Sequence, residues 1–181
     1  EPALARIGTT AGLAAAVADA DVVIECVFED LELKQRVFGE LDEATPPETI
    51  LCTNTSVMSI TEIGARATHK ERVVGTHFWN PPYLIPLVEV VPGEDTTPET
   101  VERTVSLLAA VGKHPVRVNR DVPGFVGNRL RHALWREAIS MVDQGLADPA
   151  EVAEGVPMGC GLRLPVLGPV VTAEWVGLEL S

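Results

Sequence analysis

The sequence predicts an α/β fold, in which part of a sheet of alternating strands and helices is followed by the start of an all-helical domain. Short apolar runs alternate with amphipathic stretches as far as residue 118, which is typical of a layered sheet with right-handed crossovers. From Val126 onward the apolar residues recur with a helical period instead, at Leu130, Leu134, Ala138, Met141 and Val142. The expected domains are therefore residues 1–120 and residues 121–181.

Five apolar runs are predicted to be strands. They cover residues 21–28, 50–53, 72–78, 87–91 and 115–118. Each is short and most are rich in valine or isoleucine, as strands buried in a sheet are.

Helices are predicted between and after these runs. Leu33, Val37 and Leu41 recur every four positions and predict an amphipathic helix over residues 31–44. A serine–glutamate capping box at 59–62 and a threonine–proline pair at 97–98 begin helices over residues 59–68 and 97–112. The other predicted helices cover residues 11–20, residues 126–142, a segment that begins at residue 148, and residues 174–180.

The composition restricts the location and the partners. Fourteen basic minus twenty-six acidic residues give a net charge of −12, which argues against nonspecific nucleic-acid binding. Without a long apolar run or a signal-peptide pattern, we expect a cytoplasmic protein with no membrane partner. Cys26, Cys52 and Cys160 lie far apart, which predicts buried free thiols rather than a disulfide or a metal site.

A histidine and a glutamate in consecutive predicted strands suggest acid–base chemistry. His77 lies at the end of the third strand and Glu89 within the fourth, with a loop rich in proline between them. A carboxylate among valines is unfavourable unless it is paired, and an imidazole is a natural partner. Such a pair can take a proton from an alcohol. His77 could instead be a core histidine bonded to backbone, and Glu89 a surface residue of its strand.

Several motifs occur in a fixed order along the chain. They are Asp-Val-Val-Ile-Glu-Cys-Val-Phe-Glu-Asp-Leu-Glu-Leu-Lys at 21–34, Asn-Thr-Ser at 54–56, Thr-His-Phe-Trp-Asn-Pro at 76–81, Leu-Val-Glu-Val-Val at 87–91, Gly-Lys-His-Pro-Val at 112–116 and Pro-Gly-Phe-Val-Gly-Asn-Arg-Leu at 123–130. Together they resemble the NAD-dependent L-3-hydroxyacyl-coenzyme A dehydrogenases, from residue 21 to the end of the chain.

The resemblance implies a fold, a reaction and an assembly. It implies a Rossmann domain followed by a helical domain that forms a homodimer, and oxidation of the 3-hydroxyl of an acyl-coenzyme A, with hydride passing to NAD. By matching position, it implies His77 as the general base and acid, with Glu89 orienting it. It also implies Ser56 and Asn128 as hydrogen-bond donors to the reacting oxygen.

Further positions match cofactor contacts of that family, namely Glu29, Lys34, Ser56 and Asn80. Some alternatives stay open. Asn128 could only cap a helix, and Lys34 could be a solvated helix lysine. The apolar stripe over residues 126–142 could pack within the protein or contribute to a dimer interface. Glu25 is expected to be a strand residue near the site, without an assigned role.

The sequence also departs from the family pattern. No Gly-x-Gly-x-x-Gly motif occurs, so we expect the first βαβ unit to lie outside this sequence, one sheet edge to be unprotected, and the fragment alone to be inactive. Trp79 and Pro82 replace commoner residues beside the substrate, and the charge of −12 is unfavourable for an anionic coenzyme A. The alternatives are an NAD-dependent dehydrogenase of a non-thioester hydroxy acid, of the sugar-acid or carnitine type, or a non-catalytic fragment.

Overall fold

The computed structural model describes residues 3–177 and confirms the predicted α/β fold. Its strands are β1 (Val22–Glu25), β2 (Ile50–Thr53), β3 (Val73–Phe78), β4 (Leu87–Pro92) and β5 (His114–Arg117). Its helices are α1 (Leu13–Val17), α2 (Leu31–Ala44), α3 (Ile60–Ile63), α4 (Pro98–Ala110), α5 (Gly127–Asp143), α6 (Pro149–Met158) and α7 (Pro169–Val176). The chain divides into two compact units, the first ending at Arg129 and the second beginning at Leu130.

The first unit is built on one mixed sheet in the order β1-β2-β3-β4-β5. Strands β1, β2 and β3 are parallel, because α2 and α3 carry the chain back between them. Strand β4 runs antiparallel to β3, since only a loop joins the two, and β5 runs parallel to β4 after α4. Helix-containing connections therefore join every consecutive pair of strands except β3 and β4.

The two faces of the sheet carry separate clusters of buried residues. Leu51 and Val91 point to the face covered by α2 and α3, where Phe38 and Ile60 are also buried. Alternate residues point to the other face, where Val74 and Val90 pack with Leu108 of α4. The sheet is thus a central layer between helices, as the apolar runs predict.

Several boundaries differ from the predicted ones. The first strand is shorter than residues 21–28, and the helix predicted over 59–68 consists of α3 followed by a 3₁₀ turn, Gly64–Arg66. The last helix begins at Pro169 rather than at residue 174, because glycine followed by proline suits a helix start. Residues 178–180 of that predicted helix lie outside the described residues.

The second unit contains most of α5 together with α6 and α7. Its apolar side chains are largely exposed: Leu130 is 54% exposed, Leu134 44% and Ile139 69%. Packing within the described chain therefore does not account for the predicted apolar stripe. Among residues 3–177, no helix has the length and apolar character needed to cross a membrane.

Gly75 allows α3 to pack closely on β3. A Cβ atom at this position would lie 2.6 Å from Cδ1 of Ile60 and 3.1 Å from Cβ of Val91. We expect Gly75→Ala to lower the free energy of unfolding by about 1–3 kcal/mol, because the core would be overpacked. Gly155→Ala is the control: that site, inside α6, has open space, and alanine favours helix there. Equal denaturant midpoints for wild type and Gly75→Ala would contradict the prediction.

Candidate active site

His77 and Glu89 lie directly opposite each other on β3 and β4. Both are buried, and Nδ1 of His77 lies 2.7 Å from Oε2 of Glu89. Residues that face each other across an antiparallel pair project to the same side of the sheet, so the strand register itself creates this contact. The two side chains that the sequence analysis singled out are therefore in contact.

The Glu89 carboxylate accepts hydrogen bonds from four donors. Oε2 accepts from His77 and from the indole N–H of Trp79, at 2.7 and 3.1 Å. Oε1 accepts from the backbone amides of Val126 and Gly127, both at 2.9 Å. Burial raises the pKa of the Glu89 carboxyl, but these hydrogen bonds outweigh it and lower the pKa from 4.5 to about 2. Glu89 is therefore an anion at neutral pH.

A turn before α5 brings the two backbone amides to this carboxylate. Gly124 has a φ of 78° and Phe125 a φ of 49°, a region that favours glycine and is uncommon for phenylalanine. Phe125 is buried, and its ring centroid lies 5.8 Å from that of His77. The Pro-Gly-Phe motif thus directs the N–H groups of Val126 and Gly127 at Glu89.

The bond to Glu89 assigns the roles of the two ring nitrogens of His77. Because an ionised carboxylate only accepts, Nδ1 carries the proton and donates it. Neutral imidazole then has its lone pair on Nε2, which is the atom that can take a proton. The rings of Trp79 and Phe125 each lie 5.8 Å from the imidazole, between centroids, and restrict its orientation.

Ser56 and Asn128 are brought together by a direct hydrogen bond. Asn128 is buried, and its Nδ2 donates to the backbone carbonyl of Ser56 at 2.8 Å. One of the two Nδ2 hydrogens therefore holds the loop after β2, and one remains for another acceptor. The Ser56 side chain is half-buried on that loop.

Two of the predicted cofactor residues lie near the ends of parallel strands. Glu29 is exposed after β1, and its carboxylate accepts from the Thr55 hydroxyl at 2.7 Å and from the Ser56 amide at 3.1 Å. Asn80 is exposed just after β3. Ligands of open α/β sheets bind outside the carboxyl ends of strands. These positions therefore suit a ligand contact.

Lys34 is not a solvated lysine, so that alternative is wrong. Its side chain is 1% exposed, and Nζ donates to both carboxylate oxygens of Glu25, at 2.8 and 3.0 Å. Thr53 also donates to Glu25, at 2.7 Å. Sequence reasoning missed this role of Glu25; an acid in an apolar strand followed by a lysine in the next helix is the signal that could have found it.

The three cysteines are free, but the prediction that all are buried is wrong. Cys52 lies inside β2, where burial raises the pKa of its thiol to about 12. Cys26, just after β1, and Cys160, at the start of a 3₁₀ helix that buries no residues, are exposed. Within the described part of the chain, no three histidine, cysteine or acidic side chains are placed to hold a metal ion.

Glu89→Gln is expected to destabilise the protein at neutral pH, since an amide cannot accept from all four donors. In the wild type, the ionised Glu89 carboxylate contributes on the order of a few kcal/mol to the free energy of unfolding. Because the pKa of Glu89 is lower in the folded state, this contribution is present above about pH 4.5 and is lost as pH falls towards 2. The difference in unfolding free energy between wild type and variant should therefore shrink below pH 4.5. Glu40→Gln, on the exposed face of α2, should show no such pH dependence.

Lys34→Met should lower the free energy of unfolding by about 3–5 kcal/mol, because it leaves the Glu25 carboxylate buried without its cation. Glu25→Gln in the same chain should restore a large part of that loss. Arg36→Met, at an exposed position of the same helix, is the control and should have little effect. Denaturant unfolding measures all of these variants, and a double variant no more stable than Lys34→Met would contradict the pairing.

The chain is similar to known proteins over most of its length. Residues 1–122 match the model of the 3-hydroxyacyl-CoA dehydrogenase NAD-binding domain, and residues 124–181 match that of the C-terminal domain. The L-carnitine dehydrogenase of Streptomyces griseus is 44% identical over 96% of this chain and 52% of its own length. The chain spans about half the length of the curated relatives it matches.

Two solved structures are also similar. One is a 5-formyl-3-hydroxy-2-methylpyridine 4-carboxylic acid 5-dehydrogenase, an NAD+-dependent dismutase, with a TM-score of 0.89 and 40% identity over 94% of this chain and 55% of that one. The other is the 3-hydroxybutyryl-CoA dehydrogenase of Escherichia coli K12, with a TM-score of 0.74 and 43% identity over 77% of this chain and 29% of that one. The chain belongs to the 3-hydroxyacyl-CoA dehydrogenase family of NAD-dependent oxidoreductases.

Proposed function

We propose that the whole protein is an NAD-dependent dehydrogenase that oxidises the secondary alcohol of a small hydroxy acid that is not a coenzyme A thioester. The observation that carries the proposal is the buried His77–Glu89 pair, in which Nδ1 is anchored and Nε2 is left as the base. An imidazole held in one orientation and one tautomer suits the proton transfer that alcohol oxidation requires.

The proton chemistry follows from this pair. Nε2 of His77 takes the hydroxyl proton of the substrate, and the Glu89 anion stabilises the resulting imidazolium. In the reverse direction the imidazolium returns the proton to the carbonyl oxygen. Ser56 and Asn128 are proposed as donors to that oxygen: the Ser56 hydroxyl and the second Nδ2 hydrogen of Asn128 are the groups suited to it.

NAD, when bound, supplies the hydride acceptor. The chemistry of Glu29 fits a ribose: its carboxylate is exposed, and two of its approximately four acceptor positions are used by Thr55 and Ser56. Asn80 and Ser56 are proposed as further contacts with the cofactor. Lys34 is proposed to act indirectly, because its ammonium group is occupied by Glu25 at the end of β1.

The proposed substrate class rests on two observations. Relatives at 40–44% identity are dehydrogenases of L-carnitine and of a pyridine carboxylate. The net charge of −12 over these 181 residues is also unfavourable for an anionic coenzyme A thioester. A coenzyme A thioester is the second candidate, favoured by the family description and by the similarity to 3-hydroxybutyryl-CoA dehydrogenase.

The assembly proposed is a homodimer formed through the helical unit, in the cytoplasm. Support for the dimer comes from Leu134, Trp135 and Ile139, which leave a large apolar area of α5 exposed. No membrane partner is proposed, and the acidic composition is unfavourable for nonspecific nucleic-acid binding.

His77→Gln in the full-length protein should reduce NAD-dependent oxidation by about 10²–10⁴-fold, because the proton acceptor is lost. His114→Gln is the control, since that residue is exposed on β5. The assay compares L-carnitine, free 3-hydroxybutyrate and 3-hydroxybutyryl-coenzyme A. Normal turnover by His77→Gln would contradict the mechanism, whereas turnover of the thioester alone would contradict only the substrate class.

A further inference from the structure

Trp79 shares with His77 a single oxygen atom of Glu89. Its indole N–H donates to Oε2 at 3.1 Å, and Nδ1 of His77 donates to the same atom at 2.7 Å. The other oxygen is held by two backbone amides, so the carboxylate cannot rotate to offer each side chain its own acceptor without losing those bonds. The two side chains therefore compete for the charge on one atom.

The position of the indole depends on a glycine at the start of α5. A Cβ atom at Gly127 would overlap Cζ2 of Trp79 and would lie 3.0 Å from its Cε2. The Gly127 amide meanwhile donates to Oε1 of the same carboxylate. Gly127 thus contributes a donor and the space that lets Trp79 reach the other oxygen.

We propose that Trp79 is a positioning residue that limits how strongly Glu89 binds His77, and that Gly127 is the site that allows it. The proposal rests on the proposed function of His77 as the base. Each donor to a carboxylate neutralises part of its charge, so less is left for another donor on the same atom. A weaker bond from Glu89 makes Nε2 of His77 a weaker base, which releases its proton more readily during turnover.

The groups that act on the Glu89 carboxylate come from β3, the segment after it, the turn before α5 and the first residue of α5. They are the imidazole of His77, the neutral indole of Trp79 and the neutral amides of Val126 and Gly127. His77 is the titratable group among them. Replacement of Trp79 by phenylalanine keeps an aromatic ring beside the imidazole and removes the N–H donor.

The test is the proton NMR resonance of Nδ1–H of His77 in the full-length, ligand-free protein, assigned by its absence in His77→Gln. We expect Trp79→Phe to move this resonance downfield, because the bond to Glu89 becomes stronger. Trp135→Phe is the matched control: Trp135 contacts His132, and its replacement should leave the resonance unchanged. An unchanged or upfield resonance in Trp79→Phe would overturn the proposal.

Gly127→Ala is a second way to remove the indole donor of Trp79 from the Glu89 carboxylate. It keeps the backbone donor but displaces the indole, so it should also move the resonance downfield, and the double variant should move it no further than Trp79→Phe alone. If the shift in the double variant equals the sum of the shifts in Trp79→Phe and Gly127→Ala, the proposal is overturned. This measurement needs no substrate. If the proposed dehydrogenase activity is not found, the resonance still tests whether Trp79 weakens the bond between Glu89 and His77. In active protein, Trp79→Phe should also move the acidic limb of the oxidation rate to higher pH.

Discussion

The Glu89 carboxylate is the group on which the site depends, because a buried anion is stable only where donors surround it. Its four donors come from three places in the chain: β3, the segment just after it, and the turn that begins α5. Satisfying one carboxylate therefore holds these segments together. The same bonds orient His77 and leave its Nε2 as the base, so stability and proposed chemistry have one physical origin.

Buried carboxylates at or near both ends of α2 are also stabilised by partners that donate to them. Glu25 is held by Lys34 near the start of this helix, and Asp42 near its end is held by Arg72, at 2.7 Å. Burial opposes ionisation of Asp42, but Arg72 and two backbone amides outweigh it and lower the pKa of Asp42. Paired buried charges thus attach α2 to β1 and to the residue just before β3. This attachment also positions the loop with Glu29, because that loop lies between β1 and α2.

Much of the fold could be predicted, because strands and helices leave periodic apolar patterns in the chain. The positions of the strands along the chain follow from those patterns, and the pairing of His77 with Glu89 follows from the cost of burying a charge. The order of the strands in the sheet and the antiparallel direction of β4 do not. The individual contacts between side-chain atoms cannot be predicted from those patterns. Nothing in the local sequence near Asn128 indicates that its amide donates to the Ser56 carbonyl. Such contacts depend on side-chain directions that only the packed structure defines, as does the exposure of Cys26.

The antiparallel pair of β3 and β4 explains how a mostly parallel sheet can bring a histidine and a glutamate into direct contact. In β3 and β4 the two residues are direct cross-strand partners, and their side chains project to the same side at close range. The reversal follows from the short loop over residues 79–86, which cannot hold the crossover that a parallel neighbour needs. The proline-rich loop therefore does more than connect two strands. Its shortness puts the glutamate opposite the histidine, and its first residue, Trp79, adds a second donor to the same carboxylate.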